Sequence, residues 1–117
     1  YLSQSIQSEM IDQYLLEFQG CPVYLTVDLD VLDPSVFPGT GTPEPGGASY
    51  KELIDFLMSI QEVNLVGADV VELSPHYDSS GISHAAAVKT VREILLLMTK
   101  NKNQSSAIDS LSEHVKL

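Results

Sequence analysis

The stretch YLTVDLDVLDPSVFPGTGTPEPGG, Tyr24 to Gly47, sets an apolar run directly against three aspartates and a loop crowded with Pro, Gly and Thr. Residues 23–29, VYLTVDL, are rich in β-branched and aromatic side chains. They read as a strand apolar on both faces, the pattern of a central parallel strand. From about Val31 to Gly47 the chain holds four prolines and four glycines, which is too punctuated for regular structure. A loop of this length in a compact domain usually serves a function or is disordered.

Outward from this stretch, helices and strands alternate. Upstream, Ile6, Met10, Ile11, Tyr14, Leu15 and Phe18 recur at spacings of three and four, predicting a helix over 3–18 that Gly20 and Pro22 stop. Downstream, Ser49 and Glu52 spell a capping box, and Leu53, Ile54, Leu57, Met58 and Ile60 supply the apolar face of the helix that follows. Asn64 to Leu73, NLVGADVVEL, reads as a second buried strand ending at Glu72. After the loop SPHYDSSG, Ser83 is placed to cap a last helix, with Ala87, Val88, Val91, Ile94, Leu95 and Met98 facing inward. Residues 1–100 then form the folded part. The polar residues 101–117 read as a tail, frayed or loosely helical. Two strands joined through a helix make a parallel βαβ unit, so the class is α/β. Two strands alone leave both sheet edges open, and the sheet reads as unfinished.

Composition narrows the function. With 117 residues the chain is one modest domain, and 44% hydrophobic content fits a folded body. No apolar run approaches the roughly 18 residues of a membrane span, and no basic segment precedes an apolar one at the start. The single Cys21 has no internal partner and favours a reducing, cytoplasmic setting; just before a strand, it reads as a small buried residue. The formal charge is −10, with no Lys or Arg before Lys51. Such a surface repels nucleic-acid phosphates and attracts metal ions and cationic small molecules.

Asp28 and Asp30 fall where ligands bind in open α/β sheets, at the carboxyl ends of strands. If strand geometry holds through Asp30, their side chains leave one face about 6–7 Å apart. That spacing suits a pair of divalent cations about 3.5–4 Å apart, and it suits a pair of loop-capping aspartates equally well. Glu72, ending the second strand, faces the same crevice. Without a cation, three acids there suffer desolvation and mutual repulsion. Asp33 precedes Pro34 and reads as a turn former. His76, His84 and His114 read as surface or capping residues. A calcium loop is excluded, because Leu32 occupies the third ligand position. A phosphotransferase of the haloacid-dehalogenase type is disfavoured, because Leu32 stands where that pattern has Thr or Val.

The stretch TVDLDVLDPSVFPGTGTPEPGG, followed by GADVVELSPHYD, closely resembles the ureohydrolase family of arginases, agmatinases and formimidoylglutamases. The resemblance covers roughly Cys21 to Met98. It implies the C-terminal portion of a three-layer α/β/α parallel-sheet fold, and hydrolysis of a guanidinium C–N bond with two manganese ions. By that resemblance Asp28 and Asp30 are metal ligands, Glu72 binds the substrate's guanidinium, and Thr42 lies at the rim of the site. The family's remaining ligands come from earlier Gly-Gly-Asp-His and Asp-Ala-His-x-Asp segments, and its proton-transfer His also lies upstream. None is present here, so no catalytic residue is assigned. Within the family, GTGTPEPGG and VELSPHYD lean towards the agmatinase-like members, which convert agmatine to putrescine and urea. The resemblance also implies a homo-oligomer, a trimer or hexamer. The competing reading is an inactive fragment or a non-catalytic module that pairs with a fuller subunit.

Overall fold

The computed structural model describes residue 13 and residues 15–114, with side chains described as far as Lys100. Residues 13 and 15–17 are helical, and the chain turns at Gly20 as expected. The start of the predicted helix over 3–18 lies outside the described residues, as does the side chain of His114. Cys21 follows the turn and is exposed rather than buried. It sits in the connection before the strand, where no layer among the described residues covers it.

Strand β1 (Val23–Asp28) and strand β2 (Leu65–Val71) pair in parallel, with a register running from Tyr24 opposite Gly67 to Asp28 opposite Val71. Both strands are shorter than their apolar runs. Asp28 ends β1 by accepting the Asp30 amide, which turns Leu29–Val31 into a single 3-10 turn. Glu72 ends β2 by adopting a left-handed backbone, φ +68°.

Helix α1 (Tyr50–Ser59) starts at the predicted capping box: Glu52 N–H donates to the Ser49 hydroxyl, and the Glu52 carboxylate accepts the Ser49 amide. Both bonds satisfy donors that the first helical turn leaves unpaired. Leu53, Leu57 and the following Ile60 are buried, while Met58 is exposed. Helix α2 (Ile82–His114) is one 33-residue helix. It runs unbroken past residue 100, because no Gly or Pro follows Gly81.

The inward face of α2 differs from the expected one. Ser83, Ala87, Thr90, Ile94 and Leu97 are buried, whereas Val88, Val91 and Leu95 are exposed. Small residues at 83 and 87 let the helix approach the loops beneath it closely, which selects that stripe over the bulkier one.

The core joins Val27 of β1 and Leu65 of β2 to Leu53 and Leu57 of α1 and Ala87, Ile94 and Leu97 of α2. Phe37, Leu29 and Leu32, from the Asp-rich stretch itself, are fully buried in it. The core lies on one face of the sheet. Tyr24, Thr26 and Asp28, which alternate to the other face, are exposed. The strand expected to be buried on both faces is therefore covered on one, and the α/β domain described is partial.

Candidate metal and substrate site

The candidate site lies at the carboxyl ends of the two parallel strands. There Asp28 is opposite Val71 in the sheet, and Glu72 follows one residue on. Both acids thus stand at the carboxyl end of the sheet. The route to Asp30 differs from the expectation. Strand geometry stops at Asp28, so alternation does not relate the two side chains. Instead the Asp28 carboxylate accepts the Asp30 N–H at 3.1 Å, and the resulting turn sets Asp30 beside it. A carboxylate folded back on its own backbone two residues on is a frequent aspartate habit, and it overrides the strand here.

The proximity has an electrostatic signature. Partial loss of hydration beside the protein is the main cause that lifts the Asp28 pKa above its ordinary value. The Asp30 amide works against it, while the Asp30 side chain adds to it by hydrogen bonding and by like charge. A cation placed between the two carboxylates would remove that repulsion.

Thr42 reaches back across the loop. Its hydroxyl donates to Asp30 Oδ2 at 2.8 Å, fixing the second carboxylate from the rim side. Asp33 does not join them. One of its oxygens accepts the Ser35 amide and the other the Gly46 amide, each at 2.9 Å. These bonds, from Ser35 first and then Gly46, hold its carboxyl below the ordinary value. Asp33 therefore closes the Pro/Gly loop, as its place before Pro34 suggests. The loop's base is sealed by a short parallel bridge between Leu32 and Ala48. Gly47 makes this approach possible, since a Cβ there would lie 2.6 Å from the Asp33 nitrogen.

Glu72 is exposed and strained into the left-handed region. No hydrogen bond from it to Asp28, Asp30 or Thr42 occurs among the described residues. His76 and His84 are exposed, and the His76 ring packs tilted against Tyr77 with centroids 4.0 Å apart. Among the described residues no group of three or more His, Cys, Asp or Glu side chains converges to hold a metal ion. Asp28 and Asp30 fit part of a divalent-metal site, hard oxygen donors side by side, but the segment alone does not complete one.

A profile described as "Arginase family" matches residues 3–97. The chain belongs to the arginase family. An agmatinase of Bacillus anthracis is 50% identical to this arginase-family chain over 90 residues, covering 75% of the chain and 31% of that protein. An agmatinase of Bacillus subtilis is 46% identical over 94 residues. Among solved structures, a hypothetical agmatinase from Burkholderia thailandensis superposes with a TM-score of 0.74 at 39% identity, over 83% of this chain and 31% of that one. The proclavaminate amidino hydrolase of Streptomyces clavuligerus gives 0.73 at 38% identity, over 79% and 31%. The chain thus spans about a third of the length of the curated relatives it matches. The partial parallel sheet is part of the arginase fold.

One group of residues escaped the sequence reading. Ser83 does not cap α2; its hydroxyl, fully buried, accepts the Gly39 amide at 2.7 Å. The capping acceptor is Asp78, which takes the Ser83 amide at 2.7 Å and the Ser80 amide at 2.9 Å. Bonds from the Ser80 hydroxyl first, then from Ser83, hold its carboxyl well below the usual carboxylate range. The signal was present as Asp-x-Ser-Gly just before a helix, a cap spelled five residues early.

Proposed function

We propose that this chain is the C-terminal part of a manganese-dependent guanidino hydrolase, with agmatine as substrate and putrescine and urea as products. The observation that carries this reading is the Asp28–Asp30 pair at the end of β1, with Thr42 holding Asp30 from the loop. Family membership and agmatinases at 45–50% identity support it.

Asp28 and Asp30 would supply two carboxylates to the metal pair, and the rest of the complete chain the other ligands. The bound metals would lower the pKa of water so that a strong nucleophile is available near neutral pH. The chain's own residues then do the positioning. Glu72 receives the planar guanidinium through charge-assisted hydrogen bonds and fixes the angle of its carbon. Thr42 keeps Asp30 in one rotamer. The Asp33-closed loop walls the site, and the net charge of −10 draws in a substrate that is cationic at both ends. The complete enzyme acts in the cytoplasm as a homo-oligomer, a trimer or hexamer. No helix among the described residues is long and apolar enough to cross a membrane.

In the complete enzyme, Asp28→Ala and Asp30→Ala should each lower bound manganese and abolish most urea release from agmatine. Wild-type metal content and turnover in both variants would refute the assignment. A second reading, a non-catalytic segment that pairs with a fuller subunit, draws on the absence of the Gly-Gly-Asp-His and Asp-Ala-His-x-Asp segments from these 117 residues. The purified 117-residue chain with added manganese should release no urea, and release of urea would exclude that second reading.

A further inference from the structure

Resting on the hydrolase reading, we propose that Ser83, acting through Gly39, is a positioning residue that sets the two halves of the site in register. Three strands of evidence converge on Gly39. Its N–H donates to the buried Ser83 hydroxyl at 2.7 Å. Its carbonyl accepts the Ser74 amide at 2.7 Å. Its Cα lies so close to its neighbours that an added Cβ would sit 2.8 Å from Ser83 Cβ and Oγ and 3.0 Å from Asp78 Cβ. Gly39 is therefore gripped from both sides at one point of the loop.

What lies on either side of that point gives the grip its meaning. Three residues after Gly39 comes Thr42, which holds Asp30. Two residues before Ser74 comes Glu72, at the end of β2. Ser83 is in turn fixed by Asp78, which accepts its amide. Two hydrogen bonds thus tie the start of α2 to Gly39 and Gly39 to Ser74, a fixed point three residues along the chain from Thr42 on one side and two from Glu72 on the other. No such bond is needed merely to start a helix, since Asp78 already caps α2. The Ser83 hydroxyl points away from its own helix and into the loop. Removing it leaves the Gly39 N–H buried and unpaired, and the loop must shift to find water. A shift of about 1 Å at the rim is enough to cost catalysis heavily.

The test compares two serines that share one aspartate, in the full-length polypeptide carrying this segment. Ser80→Ala removes its hydroxyl bonds to Asp78 and from the Ile82 amide without touching Gly39; Ser83→Ala removes the bond to Gly39. Both should lower the melting temperature. Only Ser83→Ala should lower kcat/KM for agmatine, by about 10- to 100-fold and mainly in kcat, as displaced partners of metal ligands do. Ser83→Cys, which keeps the side-chain shape and weakens the acceptor, should fall between the two and serves if the alanine variant does not fold. Equal kcat/KM in the Ser80→Ala and Ser83 variants would overturn the proposal. If the wild type hydrolyses no guanidino compound, the proposed function fails, and the NMR shifts of Thr42 still decide the clamp. A change in the Ser83 variant that Ser80→Ala lacks supports it, and an unmoved Thr42 refutes it.

Discussion

Glu72 carries the largest local conflict in the site. It is the sole non-glycine residue with positive φ among the described residues, at +68°. For an L-residue with a Cβ that conformation costs on the order of 1 kcal/mol or more. Such strain persists where surrounding structure imposes it, often at functional positions. Here it lifts the carboxylate off the strand path at the edge that also bears Asp28. The prediction separates strain from chemistry. Glu72→Gly should be more stable than Glu72→Ala by about 1 kcal/mol, because glycine adopts this backbone freely. Neither variant should release urea from agmatine. Denaturant unfolding and a urea assay read the two effects separately, and equal stability of the two variants would show that position 72 is not strained.

Thr40 illustrates the opposite case. Its side chain is 2% exposed, and its hydroxyl has no hydrogen-bond partner among the described residues. An unpaired buried hydroxyl costs stability that an isosteric methyl does not. Thr40→Val should therefore hold or raise the melting temperature. A drop of several degrees would reveal a hydroxyl partner from the remainder of the complete chain.

At the scale of elements, the loop before α2 is held by one carboxylate. Asp78 has its pKa depressed in the folded state, so its contribution is fully present above the unfolded value of 3.8. It fades as pH falls through the lower folded value. The stability difference between wild type and Asp78→Asn should be flat from about pH 5 to 8 and shrink below about pH 4. Unfolding curves across that range check it; a difference that grows towards acid would reverse the sign and defeat the assignment.

The same elements show what was legible beforehand. The capping box at Ser49 was readable because its signature is local, Ser and Glu three apart. So was the turn role of Asp33, written in Asp-Pro. The parallel pairing followed from two apolar runs around a helix. The fixed points between elements were not readable. Ser83 looks like any helix-start serine, and only tertiary contact shows that it serves Gly39 rather than its own helix. The phase of α2 was also ambiguous. Val88, Val91 and Leu95 form an apolar stripe as regular as the buried one, and periodicity cannot say which stripe meets the core. At Asp28 a local side-chain bond overrode strand geometry, which two-residue alternation cannot foresee.

Across the whole molecule, the uncovered surfaces are as informative as the core. Tyr24 is 61% exposed and Val66 57% on the sheet, and Val88 69% and Leu95 57% on α2. Among the described residues the two strands pair only with each other, so both sheet edges keep unpaired backbone groups there. Open edges and exposed apolar side chains favour association with further protein surface. The chain covers about a third of its relatives' length, so under the proposed function the layers those relatives add are the natural cover. The isolated 117-residue chain should accordingly self-associate as its concentration rises and enhance the fluorescence of an apolar dye. Val88→Lys combined with Leu95→Glu should raise its monomer fraction in sedimentation velocity without disturbing the core, since neither side chain is buried. In the complete polypeptide the same pair of changes should instead destabilise the fold, because the stripe is then covered. Charged residues at 88 and 95 that leave both forms unaffected would mean that the second stripe of α2 faces solvent in the longer polypeptide too.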